Sequence, residues 1–220
     1  VTKETSLYTS YTNIFNPQTN IDKNGNVLEP EYGNTFEVGA KGEYFDKDLT
    51  TSLTFFKTVQ ENTAEEIDGV LYNGAKTYSA EDVKSKGFEF DVSGKVTDAF
   101  TLDFGLAHFK AINTDGDDFN TKASRTTANL FGKYKINDLT FGGGVDYKSK
   151  IYAEDTTYGT ITQKAYYLFN AMMTYDIDSN FKVQLNVKNI FDKKYYEGIA
   201  SNGMAYGEPR TATATLSYKF

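Results

Sequence analysis

Cysteine and tryptophan are absent from this chain of 220 residues, proline occurs three times and histidine once. Without cysteine there is neither a disulfide framework nor a thiolate metal site. So few prolines suit a protein of many long strands, because proline cannot donate to a ladder. Mean hydropathy is -0.53, and no segment approaches the roughly 18 apolar residues of a membrane helix. That excludes a helical membrane protein but not a barrel, whose strands dilute their apolar residues by alternation. A net charge of -7 with no Lys/Arg run argues against nucleic acid. The chain starts at Val1 without initiator methionine or signal peptide, which predicts a piece of something longer.

What the chain has in quantity is aromatic residues, 17 Tyr and 17 Phe, set in a rhythm of two. At the carboxy-terminal end Ala212, Ala214, Leu216, Tyr218 and Phe220 share one face, and Thr211, Thr213, Thr215, Ser217 and Lys219 the other. The same alternation predicts ten strands. They are Glu4–Asn13, Asn34–Phe45, Leu49–Gln60, Ser85–Val96, Phe100–Ala111, Arg125–Ile136, Leu139–Ile151, Tyr166–Ile177, Phe181–Asn189 and Glu208–Phe220. Each is about the 9–11 residues that cross a bilayer at a tilt, or slightly more.

The connections alternate in length. Asp46–Asp48, Thr97–Ala99, Asn137–Asp138 and Asp178–Asn180 are short; Ile14–Gly33, Glu61–Lys84, Ile112–Ser124, Tyr152–Ala165 and Asp192–Gly207 are long. Tight turns on one edge and long loops on the other are the form of an outer-membrane barrel. The faces agree. Glu37, Lys41, Glu89, Asp91, Lys133 and Asp146 fall on the polar parity, and mixed charge on every strand is costly in a dry core. The polar face therefore lines a wet or plugged lumen and the apolar face meets lipid. Aromatics at strand ends, among them Tyr44, Phe100, Tyr134, Tyr147, Tyr152, Tyr166 and Tyr218, are expected to form interfacial girdles. The expected fold is an all-β, antiparallel, up-and-down transmembrane barrel.

Two stretches of the carboxy-terminal end, "NVKNIFDKKYY" and "YGEPRTATATLSYKF", resemble the closing hairpin of TonB-dependent outer-membrane receptors. "SLYTSYTNIFNPQ", "GNTFEVGAKGEYFDKDLTTSLTFFKTVQENTA", "SKGFEFDVSGKVTDAFTLDFGLAHFKA" and "SRTTANLFGKYKI" resemble their ferric-siderophore branch, the receptors for hydroxamate and pyoverdine-type siderophores. The resemblance covers essentially the whole chain. It implies a plugged barrel of about 22 strands, of which residues 1–220 would be the carboxy-terminal part, with the plug domain and the first barrel strands lying before it. It implies no enzyme activity and no cofactor, since iron arrives already chelated. The implied activity is binding and TonB-dependent uptake of a ferric siderophore across the bacterial outer membrane, in a multi-pass protein. The implied partners are the siderophore, TonB through the plug, outer-membrane lipid and lipopolysaccharide, and the barrel assembly machinery, with Phe220 as the terminal assembly signal.

Such receptors hold the chelate with aromatic and polar residues of the external loops and upper lumen. On this chain the resemblance points to Tyr72, Tyr78, Phe119, Arg125, Tyr152, Tyr158, Tyr196 and Met204, with Tyr32 and Tyr206 nearby in sequence. Rings suit a bulky ligand because they bury much area at little entropic cost. The competing reading makes most of them loop packing. Arg125, on the inward parity of Thr127 and Asn129, either meets an anionic ligand or, the favoured reading, pairs with a lumenal carboxylate; Arg210 is equally ambiguous. His108 shares the parity of Leu102, Phe104 and Leu106, so it faces outward without partners for catalysis. "DKNGN" at Asp22–Asn26 departs from a calcium loop and reads as a tight turn. "GGG" at Gly142–Gly144 reads as a close approach within a strand.

Two alternatives stay open on the residues alone. A self-contained ten-stranded outer-membrane protease or lipase would need a base at the external rim. A soluble β-adhesin or sandwich would cover the apolar face with a second sheet.

Overall fold

The computed structural model describes residues 2–155, 159–200 and 203–220. In chain order the strands are β1 (Thr5–Asn16), β2 (Glu31–Tyr44), β3 (Leu49–Tyr72), β4 (Ala75–Lys95), β5 (Phe100–Ile112), β6 (Thr126–Ile136) and β7 (Leu139–Lys148). The small hairpin β8 (Ile151–Asp155) and β9 (Gly159–Gln163) follows, then β10 (Tyr166–Asp176) and β11 (Phe181–Lys188). A second small hairpin, β12 (Tyr196–Ala200) and β13 (Gly203–Tyr206), precedes the last strand β14 (Thr211–Tyr218). All but the two small hairpins join one antiparallel meander, β1-β2-β3-β4-β5-β6-β7-β10-β11-β14, with β1 and β14 at its edges. All ten expected strands are present.

Register carries the two faces across neighbouring strands. Val38, Phe55, Phe88 and His108 stand in one row, and Gly39, Thr54, Glu89 and Ala107 in the next. The first set points to the apolar side and the second to the polar side, as alternation in a pleat requires. No second layer packs on the apolar side among the described residues. Phe36 is 51% exposed and Val38 48%, which rules out the dry sandwich interior. Each such side chain gains roughly 1.5–3 kcal/mol when an apolar surrounding replaces water.

On the polar side the strands are tied by side chains. Ser10 Oγ donates to Glu37 Oε2 at 3.0 Å, Ser52 Oγ to Asp91 Oδ2 at 3.1 Å, and Asn170 Nδ2 to Asp146 Oδ2 at 2.7 Å. Lys133 meets Asp103 at 3.7 Å, and Lys182 meets Asp176 at 3.1 Å. Tyr8 reaches across Gly39 to bond Thr54 Oγ1 at 2.6 Å. A Cβ on Gly39 would lie 2.6 Å from that ring, so the crossing requires glycine. The close approach expected at Gly142–Gly144 is found too: the Phe131 ring lies 2.9 Å from where a Gly142 Cβ would be.

The structure corrects the long connections. Glu61–Lys84 is not a loop: β3 and β4 run on past the sheet as a hairpin, turning at Asn73 (φ 49°) and Gly74 (φ 83°). Positive φ at both is the two-residue hairpin turn that Asn-Gly favours. The apolar alternation stops there because the extension lies beyond the apolar band, and what it buries includes a threonine, Thr77, rather than an apolar row. Tyr152–Ala165 and Asp192–Gly207 likewise hold β8–β9 and β12–β13. Tyr72 and Tyr78 thus lie on strand extensions, and Tyr152, Tyr196 and Met204 on small hairpins, rather than on irregular loops. Tyr166 is not a girdle residue: it is 4% exposed, on the row of Lys148, its ring 4.6 Å from that of Tyr195. Tyr158 lies outside the described residues.

Candidate functional site

The extensions, small hairpins and loops gather beyond one edge of the sheet as a crown, opposite the short turns. Its groups are held mostly by side chains bonded to backbone. At the first connection the Asp22 carboxylate accepts from the N–H of Asn24 and of Asn26, both at 2.8 Å, closing the expected turn. A bond from Asn26 Nδ2 at 3.1 Å, the largest cause, and these two hold its carboxyl below the ordinary value of 3.8. This turn docks on the long hairpin: Tyr78 N donates to Ile21 O at 2.8 Å, and the Tyr72 ring covers Gly25. Tyr72 and Tyr78 therefore serve one contact between two connections. Opposite them Glu66 pairs with Lys76 at 2.6 Å.

Phe119, Arg125 and Tyr152 are brought together in the middle of the crown. The Arg125 guanidinium lies 5.1 Å from the centre of the Phe109 ring. Its Nη2 donates to the carbonyls of Phe119 and Ala111, while Nη1 is buried without a partner. The favoured carboxylate pair is thus replaced by backbone carbonyls. The chain after β5 turns back over the arginine, so main-chain oxygens reach it first. Thr121 Oγ1 donates to Tyr152 O at 2.8 Å, and Lys150 Nζ lies 4.9 Å from the Tyr152 ring centre. Burial, then the nearby Asp118, raises the Tyr152 hydroxyl above its ordinary value, so it stays a donor at neutral pH. Beside this group a crevice of ≈ 340 Å³ runs between Thr63–Glu66 and Asp118–Lys122. Burial, then Glu81, raises the Glu65 carboxyl there.

Tyr196 and Met204 belong to a separate group. Ile151, Ala153 and Ile199 form the buried cluster of the crown, with Ile161 and Tyr196 packed on it. Tyr196 N donates to Gln163 Oε1 at 2.8 Å, and its ring lies 5.0 Å from that of Tyr206. Met204 is 47% exposed. Below this group the polar side of the sheet holds a cavity of ≈ 380 Å³ whose lining includes Phe131, Asp146, Asn170, Tyr195 and Glu208. None of the sequence candidates lines it.

Sequence reasoning also missed Asn189, which is 4% exposed at φ 49°. Its Nδ2 donates to the carbonyls of Lys193 and Glu208, both at 3.0 Å, and its Oδ1 accepts from Lys193 N at 2.8 Å. Arg210 similarly donates Nη1 to Ile190 O at 3.4 Å. An asparagine opening a polar connection was the available signal, because asparagine both tolerates a left-handed backbone and bonds its own main chain.

His108 stands on the apolar face, Nδ1 2.8 Å from Thr126 Oγ1 and its ring 5.9 Å from that of Phe88. The enzyme alternative thereby loses the one histidine that could have stood at its external rim. Among the described residues no group of His, Asp or Glu could hold a metal ion.

An antiparallel meander with one apolar and one polar face, tight turns at one edge and long hairpins at the other, is the wall of an outer-membrane-type β-barrel. A family model described as TonB dependent receptor-like, beta-barrel, matches residues 1–190, and the chain belongs to that family. The ferric-pyoverdine 358 receptor of Pseudomonas putida is 34% identical over 228 residues, covering 100% of this chain and 28% of that protein. The catecholate siderophore receptor Fiu of Escherichia coli (strain K12) is 30% identical over 205 residues, covering 88% of this chain and 26% of that protein. The crystal structure of the ferripyoverdine receptor of the outer membrane of Pseudomonas aeruginosa, bound to ferripyoverdine, is similar with a TM-score of 0.87 at 30% identity, covering 100% of this chain and 32% of that one. The chain thus spans under a third of the length of these relatives.

Proposed function

We propose that this chain forms barrel wall and external crown of a receptor in the bacterial outer membrane that binds a ferric siderophore of the pyoverdine type and imports it with TonB. The observation that carries the reading is the segregation of the sheet: apolar row against polar row on every strand, with all elaborated connections beyond one edge. The similarity to ferric-pyoverdine receptors over the whole chain supports the ligand class. On this reading residues 1–220 are the carboxy-terminal part of a larger multi-pass barrel, and the plug that meets TonB lies in another part of the protein. The apolar face meets outer-membrane lipid and lipopolysaccharide, and Phe220, 105% exposed, is presented to the assembly machinery.

The chemistry asked of the crown is modest. A ferric siderophore carries its own iron ligands, so the protein supplies ring faces and hydrogen-bond donors rather than a metal site. Phe119, Arg125 and Tyr152 offer a ring, a cation and a phenol within one group, Tyr72, Tyr78 and Tyr196 add further rings, and Met204 adds an exposed thioether. Uptake of radioactive iron by cells with the full receptor as their sole siderophore receptor tests this. Ferric pyoverdines are expected to deliver iron, and Tyr152→Ala with Phe119→Ala to weaken their binding by about tenfold or more, as loss of aromatic anchors does. Uptake from catecholates alone, or from no siderophore, would reject the proposal.

A further inference from the structure

We infer that the apolar face of β3, β4 and β5 carries at its crown end a binding site for the phosphate-bearing headgroup of a glycolipid of the external leaflet. The inference rests on the proposed membrane reading and adds a site to it. Lys57, Lys86 and Lys110 are direct partners in one row across these three strands. Strands lie about 4.8 Å apart, so three ammonium stems rise within roughly 10 Å. Lys84 stands on the same face one step beyond, opposite Val59 and Ile112. The four lysines and Ile112 line a groove of ≈ 170 Å³.

Like charges opposite one another in a sheet are destabilising. Six other lysines, Lys47, Lys76, Lys95, Lys133, Lys135 and Lys182, find carboxylates. Among the described residues none of these four lysines is within ion-pair distance of one. The acidic residues on the same face, Glu61 and Asp82, stand further out, and Asp82 instead accepts from Asn62 N at 3.4 Å. A basic row with no counter-ion of its own selects an anion from outside.

Height says which anion. Lys57 lies eight residues beyond Leu49 and Lys110 ten beyond Phe100, where their strands leave the short turns. At about 3.4 Å per residue and a tilt near 45°, that is roughly 20–25 Å up an apolar band about 25 Å tall. The row one step lower is Phe55, Phe88 and His108, with ring centres 6.2 and 5.9 Å apart. Charge above and rings below match a phosphate joined to acyl chains, and lysine stems can lie along those chains while their heads reach the headgroup plane. A soluble phosphate would use only half of this surface.

The full receptor is purified in detergent, and its binding of bisphosphorylated lipid A is counted by native mass spectrometry and titrated. Lys57→Gln/Lys86→Gln/Lys110→Gln is expected to weaken binding on the order of 100-fold, near fivefold per lysine, and single Lys86→Gln about fivefold. Lys→Arg at all three sites should retain binding, and Lys133→Gln/Lys135→Gln/Lys182→Gln on the polar face should leave it intact. Dephosphorylated lipid A is expected to bind no better than the triple Gln variant holds the native lipid. Unchanged lipid A binding by the triple and single Gln variants would overturn the inference. So would equal competition by inorganic phosphate, or equal retention of phosphatidylglycerol, each pointing to a different anion source. Ferric pyoverdine binding on the same samples separates this outcome from failure of the receptor reading, since none of these lysines is assigned to the siderophore.

Discussion

Wall and crown are built from the same strands, yet polar side chains do different work in each. In the wall the main chain is engaged in the ladder and polar side chains find one another across the sheet: Ser93 Oγ bonds Asp103 Oδ1 at 2.6 Å, and Thr35 pairs with Thr58 at 2.9 Å. Thr9 and Thr50, which donate to the carbonyls of Glu37 and Ser93, are exceptions. In the crown the chain leaves its ladder and exposes main-chain groups that must be satisfied. There Asp22, Asn189, Thr121 and Arg125 bond backbone instead. A wall so made tolerates exchange of one polar group for another but not a change of face. A crown so made depends on single side chains.

The largest expected effect tests the face rule. Leu130, on β6, lies between Phe104 and Val145 on the apolar side, and Asn129 lies opposite Asp146 on the polar side. Leu130→Arg places a charge well inside the apolar band and should cost about 2–4 kcal/mol. Asn129→Arg, one residue away, gains a carboxylate neighbour and should change stability by less than about 1 kcal/mol. Urea titration of the full receptor in vesicles, read by heat-modifiable migration, compares them. Equal costs would mean that the faces are wrongly assigned.

The crown should respond to a smaller change. Asn189→Ala removes two donors and an acceptor from Lys193 and Glu208, leaving main-chain groups unsatisfied at a cost of about 1–3 kcal/mol. Because the loss is local, hydrogen exchange across residues 190–210 should accelerate while β10 keeps its protection. Acceleration spread evenly through β10 would tie wall and crown into one cooperative unit.

The same division explains what the sequence made legible. Phe36, Val38 and Ala40 against Glu37 and Lys41 announce a strand, and every wall strand announced itself so, because one side meets lipid and the other water. The hairpin beyond Gln60 leaves the apolar band and buries Thr77 rather than an apolar row, so "ENTAEEIDGVLYNGAKTYSAED" carries no period, although Asn73-Gly74 was a readable turn. Of the candidate site, Arg125 was correctly turned to the polar side by parity. Its carbonyl partners at Phe119 and Ala111 were not readable, since they depend on how the chain after β5 folds back. Nor does spacing say that the segment of Phe119 and Thr121 bonds both Arg125 and Tyr152 while Tyr196 joins Ile151 and Ile199.

The smallest effect concerns the outermost turn and pH. The Asp22 carboxyl is held below 3.8 by the bonds it accepts from Asn26 and Asn24. A carboxyl that binds its proton more weakly folded than unfolded stabilises the folded turn when ionised. The contribution is therefore complete above the unfolded value and is lost as pH falls through the lowered folded one. Protection factors of the Asn24 and Asn26 amides should hold from pH 7 to about 5 and fall below about 4, where carboxylates take up protons. Asp22→Asn should abolish that step, while the Leu130 and Val145 amides of the wall, whose acceptors are carbonyls, show none in either protein. A step that survives Asp22→Asn would move the titrating group to another carboxylate, and with it the reason this turn keeps its shape beneath Tyr72.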